Sequence, residues 1–109
     1  MNNDMKKYLT YDEAVSLLPD GEQIHTFVNP ITDLLIGADW SRKEILDALR
    51  KSTIQRTGPE ARKMGHGIVV CITHTIGGKL QKVRLFIETD AEKLAKFEEA
   101  QNGSDSSES

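Results

Sequence analysis

The segment from Gly67 to Glu88 constrains this chain more than any other. Gly67 to Thr75 is β-branched and bounded by glycines, Leu80 to Glu88 alternates, and Gly77-Gly78 stands between them. Branched side chains suit a pleated surface, and a glycine pair supplies the positive φ values of a tight hairpin turn. In the second strand Val83, Leu85 and Ile87 share one face, while Lys82, Arg84 and Glu88 share the other. The chain is therefore committed to an antiparallel hairpin with one wet face. The run Ile68-Val69-Val70-Cys71-Ile72 reads as buried, so Cys71, the one cysteine, is expected as a core thiol in a reducing compartment.

Two more segments read as strands, Gln23 to Val28 and Asp33 to Ala38. Helix starts come from capping boxes, in which a Ser or Thr caps the helix and a Glu three residues later caps back. Thr10 with Glu13, Ser41 with Glu44 and Thr89 with Glu92 predict helices over 11–18, 42–51 and 91–101, each with one apolar face. Thr57 with Glu60 opens only a short turn, since Pro59 fits a first turn and Gly65 can end it. The order is helix, two strands, helix, short helix, two strands, helix. It predicts an α+β fold, a small, mostly antiparallel four-stranded sheet with helices on one face.

At 109 residues and 38% apolar content, the chain suits a single domain over 8–100. Residues 1–7 are expected as a flexible N-terminus. The stretch 101–109 has no apolar side chain and is expected as a disordered acidic tail. No run nears the roughly 18 apolar residues of a membrane span, and the polar start lacks a signal core, which predicts a soluble cytoplasmic protein with no membrane partner.

The net charge of −3 hides a division. Residues 1–41 and 85–109 each carry two basic and seven acidic side chains, whereas 42–84 carries ten basic and three acidic. A basic middle of this kind suits nucleic acid, and acidic ends suit a basic protein groove; mutual neutralisation within the fold is the simpler account. No exposed aromatics interleave with the basic middle, which argues against base stacking on a single strand.

Chemistry is sparsely signalled. His25, His66 and His74 have Asp33, Asp39 and Cys71 as conceivable co-ligands, but no two fall at helical ligand spacing. Paired-cysteine, phosphate-loop, metalloprotease and serine-elbow motifs are absent. No metal, no cofactor and no catalysis are expected. His25 reads as half-buried beside Phe27, and His74 as solvated. The stretch from Thr57 to Gly67 places three glycines, a proline and His66 around one helical turn, with Arg56 and Arg62 near. It is a candidate anion site, or more simply a capped connector that positions the strand from Ile68. Trp40, just before the Ser41 cap, is placed to staple the helix, and beside Arg42 it would anchor an interface if partly exposed.

Five stretches, Tyr8-Leu9-Thr10-Tyr11-Asp12-Glu13-Ala14, Leu18-Pro19-Asp20-Gly21, Gly37-Ala38-Asp39-Trp40-Ser41, Gly65-His66-Gly67 and Phe86-Ile87-Glu88-Thr89-Asp90, resemble phrases of small proteins carried by bacterial mobile elements, anti-CRISPR proteins among them. The resemblance implies a non-enzymatic inhibitor or regulator that binds a host protein such as a CRISPR nuclease. Trp40, Arg42, Arg62, His66, Glu88, Asp90 and Glu92 are the expected contacts, with the acidic N-terminal part and Glu88 to Glu99 entering a basic groove. The alternatives are a small nucleic-acid-binding module using 42–84, and a small enzyme acting on an anionic ligand through His66 and Arg62.

Overall fold

The computed structural model describes residues 8–29 and 36–107. Its elements are β1 (Tyr8–Leu9), α1 (Tyr11–Leu17), β2 (Gln23–Asn29), β3 (Ile36–Ser41), α2 (Arg42–Lys51), β4 (Ile54–Arg56), α3 (Pro59–Lys63), β5 (Ile68–Ile76), β6 (Lys79–Ile87) and α4 (Ala91–Ser107). The expected N-terminal segment 1–7, the start of the strand expected from Asp33, and residues 108–109 lie outside the described residues. The backbone of α4 continues to Ser107, through most of the stretch expected as a disordered tail.

The architecture is α+β, but the sheet has six strands where four were expected, in the order β1-β4-β5-β6-β2-β3, every neighbour antiparallel. The two additional strands, β1 and β4, are two and three residues long. So short a segment shows no periodicity; the ladder to β5 makes β4 a strand, and the ladder to β4 makes β1 one. The β5–β6 hairpin forms as predicted, from Ile68↔Ile87 to Ile76↔Lys79, with Gly77 (φ 59°) and Gly78 (φ 81°) supplying the turn.

Register lines up one apolar row across the sheet. Leu9 faces Ile54, Ile54 faces Val70, Val70 faces Leu85 and Leu85 faces Val28, and all five are buried. Ala14 and Leu17 of α1 and Ile45, Ala48 and Leu49 of α2 close the core with them, and Leu94 and Phe97 of α4 pack against it. Burial of this kind stabilises by about 25 cal/mol per Å² of apolar surface removed from water, so these rows and helix stripes supply most of the driving force.

Two of the four capping boxes form. Thr10 Oγ1 accepts from the Glu13 amide at 3.1 Å and Glu13 answers at the Thr10 amide at 2.9 Å; Ser41 and Glu44 repeat the geometry. The other two do not. α3 starts from Gly58, because the Thr57 hydroxyl donates to the His66 carbonyl at 2.7 Å. At α4, Asp90 Oδ1 accepts from the amides of Glu92 (3.0 Å) and Lys93 (3.1 Å), while Thr89 is buried. In both cases a long-range contact captured the threonine that local pattern assigned to a cap.

One carboxylate ties α4 to the sheet and to α3. Glu98 accepts from both Arg56 and Arg62, and the Arg56 side chain is only 6% exposed. Glu98→Ala is expected to lower stability by about 2 kcal/mol, since it removes the acceptor that two partly desolvated guanidinium groups share. A urea titration reads this as a lower midpoint at unchanged slope.

Candidate functional site

Alternation along a strand sends every second side chain to the far face, and here the helices cover only one face. The uncovered face carries its own row, one residue out of step with the core row. Tyr8 faces Gln55, Gln55 faces Val69, Val69 faces Phe86, Phe86 faces Phe27 and Phe27 faces Gly37. Tyr8 is 51% exposed, and Phe27, Val69 and Phe86 are half-buried. Next along the hairpin come Cys71 opposite Arg84 and Thr73 opposite Lys82, all exposed. Cys71 is thus a surface thiol instead of the expected core thiol: an unbroken apolar run predicts burial on both faces, but among the described residues no element covers this one. A depression of about 340 Å³ on this face is lined by Gln55, Val69, Cys71, Arg84 and Phe86 among others.

Gly37 explains how Phe27 lies on this surface. A β-carbon there would stand 3.3 Å from the Phe27 ring, so any other residue would press the ring away by a few tenths of an ångström. His66 and His25 brace it, with ring centroids 4.7 Å and 5.0 Å from that of Phe27. His25 is nearly half exposed and its Nδ1 lies 3.2 Å from Asp39 Oδ1. Glu88 Oε1 accepts from the His25 amide at 3.4 Å, so the acidic groups of this face gather at one end of it. Arg84 and Lys82 occupy the other end.

His66 is 5% exposed, and neither ring nitrogen has a hydrogen-bond partner. Burial pushes its pKa below the ordinary imidazole range, with nearby His25 adding to the effect and Glu88 opposing it. The flanking glycines are structural. Gly65 has φ +88°, its carbonyl accepts from the Thr89 amide at 2.8 Å, and a β-carbon on Gly67 would meet Thr89 Oγ1 at 2.8 Å. With the Thr57 amide donating to the Gly67 carbonyl at 3.2 Å, the stretch is a clasp that seats β5 against the start of α4. It connects α3, five residues long, to β5.

The expected contact residues do not converge. Arg42 straps the α1–β2 turn, its Nε donating to the Gly21 carbonyl at 2.9 Å and its terminal nitrogen to that of Pro19. Arg62 is held by Glu98, and Asp90 caps α4. Glu92 is exposed in the first turn of α4. Trp40 is half-buried against the core, with His74 stacked 5.5 Å away in place of the solvated position expected for it. Trp40 lines a depression of about 650 Å³ between α2 and the hairpin, together with Glu44, Asp47, Lys51 and Lys82. Only His66 and Glu88 come together, around His25.

Charge is resolved unevenly. Of the basic middle, Arg56 and Arg62 share the single carboxylate of Glu98, and Lys51 pairs with Asp47 at 3.1 Å. Arg50 lies over the Tyr11 ring at 5.3 Å. The segment 68–87, which makes the hairpin, contains Lys79, Lys82 and Arg84 and no acidic residue. Sequence reasoning missed the open-face aromatics because Phe27 and Phe86 lie far apart in the chain; their in-strand alternation with buried Val28 and Leu85 was the available signal. Among the described residues no cluster of three or more His, Cys, Asp or Glu can hold a metal ion, and no helix is long and apolar enough to cross a membrane. Comparison with protein-family models, with curated proteins and with solved structures gave no match.

Two outcomes follow from the clasp. Gly67→Ala is expected to destabilise by about 1–3 kcal/mol through overpacking against Thr89, read by thermal unfolding. A histidine whose folded pKa is lowered contributes full stability above its unfolded value near 6.5 and loses it as pH falls below that value. The unfolding temperature is therefore expected to drop between about pH 7.5 and 5.5, and His66→Phe, which keeps a ring against Phe27, is expected to flatten that slope.

Proposed function

We propose that this protein is a non-enzymatic binding module that receives an anionic partner, the phosphate backbone of a nucleic acid, on the open face of its sheet. The observation that carries this reading is the pairing of a sheet face that no described helix covers with an acid-free hairpin, whose exposed Arg84 and Lys82 share the register of that face, Lys82 at the edge where it also borders Glu44 and Asp47. An antiparallel sheet is commonly solvated on one side. Here the solvated side also holds half-buried aromatic rings and unpaired-in-sequence positive charge, a combination suited to a polyanion. Three carboxylates away from this face are paired, Glu98 with two arginines, Asp47 with Lys51 and Asp20 with Lys93 at 3.0 Å, and the two on it, Asp39 and Glu88, stand at the end away from Arg84 and Lys82.

A second reading, the protein-binding inhibitor of a mobile element, draws support from the opposite side of the molecule. Asp12, Glu22, Glu92 and Glu99 are exposed there or along its rim, as a basic groove would require. The two readings place the contact on different surfaces, so paired substitutions separate them.

Fluorescence anisotropy with labelled oligonucleotides over a range of salt tests the first. Affinity is expected to fall steeply with salt, and Lys82→Ala with Arg84→Ala is expected to reduce the slope of log K against log salt by about 0.7–0.9 per charge removed. Absence of binding at low salt, or a slope indifferent to both substitutions, overturns it in favour of the second reading.

A further inference from the structure

We infer that the nucleic acid received by this face is single-stranded, its bases stacking on Phe86 and Phe27 while Arg84 and Lys82 hold the phosphates. This rests on the reading given above and adds the form of the ligand. Phe86 and Phe27 are direct cross-strand neighbours, so their β-carbons stand about 4.5–5.5 Å apart, close enough to serve two consecutive bases. Arg84 lies two residues along β6 from Phe86, a displacement of about 7 Å on the same face. That places a cation at the reach between a base and its own phosphate. Lys82 lies one further step along the same line.

The rings are also set for stacking. Phe27 is spread over Gly37 and braced from the side by His25 and His66, which holds the ring along the sheet. Phe86 and Val69 are half-buried beside it. A duplex keeps its base faces stacked on one another, so aromatic side chains on a sheet face offer it little beyond phosphate contact. An unpaired strand exposes those faces, and each stacked base contributes sequence-tolerant affinity. The cationic end and the acidic end, with Asp39 and Glu88, further confine the backbone to the hairpin side of the rings.

The test compares a labelled oligothymidine of about twelve nucleotides with a duplex of equal length, using the full chain at one low salt concentration. The single strand is expected to bind at least tenfold more tightly. Phe86→Leu, which keeps an apolar side chain, is expected to weaken single-strand binding by about five- to hundredfold and leave duplex binding unchanged, and Phe86→Trp is expected to preserve the wild-type value. Circular dichroism melts establish that both variants fold. Equal affinity for the duplex, or a folded Phe86→Leu variant that binds as wild type, overturns the stacking inference while the nucleic-acid reading stands. Failure of the wild type to bind either oligonucleotide overturns both, and capture of a nuclease-resistant protein partner through Glu92 and Glu99 would then assign the acidic side.

Discussion

The pairing of β5 with β6 is the interaction on which the rest of the structure depends. It joins nine residue pairs, from Ile68↔Ile87 to Ile76↔Lys79, through a two-glycine turn. Each partner strand then offers its outer edge to one half of the sheet. β5 accepts β4, which accepts β1; β6 accepts β2, which accepts β3. A local hairpin closes its loop at small entropic cost, whereas β1 and β2 must return from positions far away in sequence. The order of assembly that this suggests, hairpin before flanks, follows from the same physics that makes the hairpin the most legible element of the chain.

The second constraint is that the apolar surface is one-sided. α1, α2 and α4 pack against the core that contains the row formed by Leu9, Ile54, Val70, Leu85 and Val28, and the residues one step out of register emerge on the other side. Cys71, Val69 and Phe86 therefore stand on a surface that four helices leave alone. A slip of one residue in the β5–β6 register would exchange the two rows and expose the core, so the open face is specified as firmly as the buried one. That firmness is what gives Phe27, Phe86 and Arg84 a fixed relation to one another, and a fixed relation is what a binding surface needs.

Electrostatics sorts the charges between structure and surface. Glu98 collects Arg56 and Arg62 in a partly buried cluster, and Lys93 beside Asp20 holds that carboxyl below its ordinary range. The clasp around Gly65, His66 and Gly67 shows the same division of labour. Its polar groups serve the backbone, and the His66 ring lies against Phe27 under the open face. A residue type that suggests chemistry in sequence is here committed to holding a hydrophobic ring in place.

The sequence by itself determined the elements whose causes are local. Alternation over 80–88 with Gly77-Gly78 specified the hairpin, the Thr10–Glu13 and Ser41–Glu44 boxes specified two helix starts, and the apolar stripes of α1 and α2 specified which faces turn inward. Only the tertiary structure decided what depends on long-range partners. β4 is a strand because β5 edges it, and β1 because β4 edges it in turn. Thr57 and Thr89 leave their caps because the clasp offers better partners, and Arg42, Arg56 and Arg62 are withdrawn from the basic middle by acceptors distant in sequence. Phe27 and Phe86 become neighbours for the same reason, since strand order brings together residues that no window along the chain contains. Local free energies are written in short stretches of sequence; the identity of a distant partner is settled only when burial of the whole apolar face selects one packing.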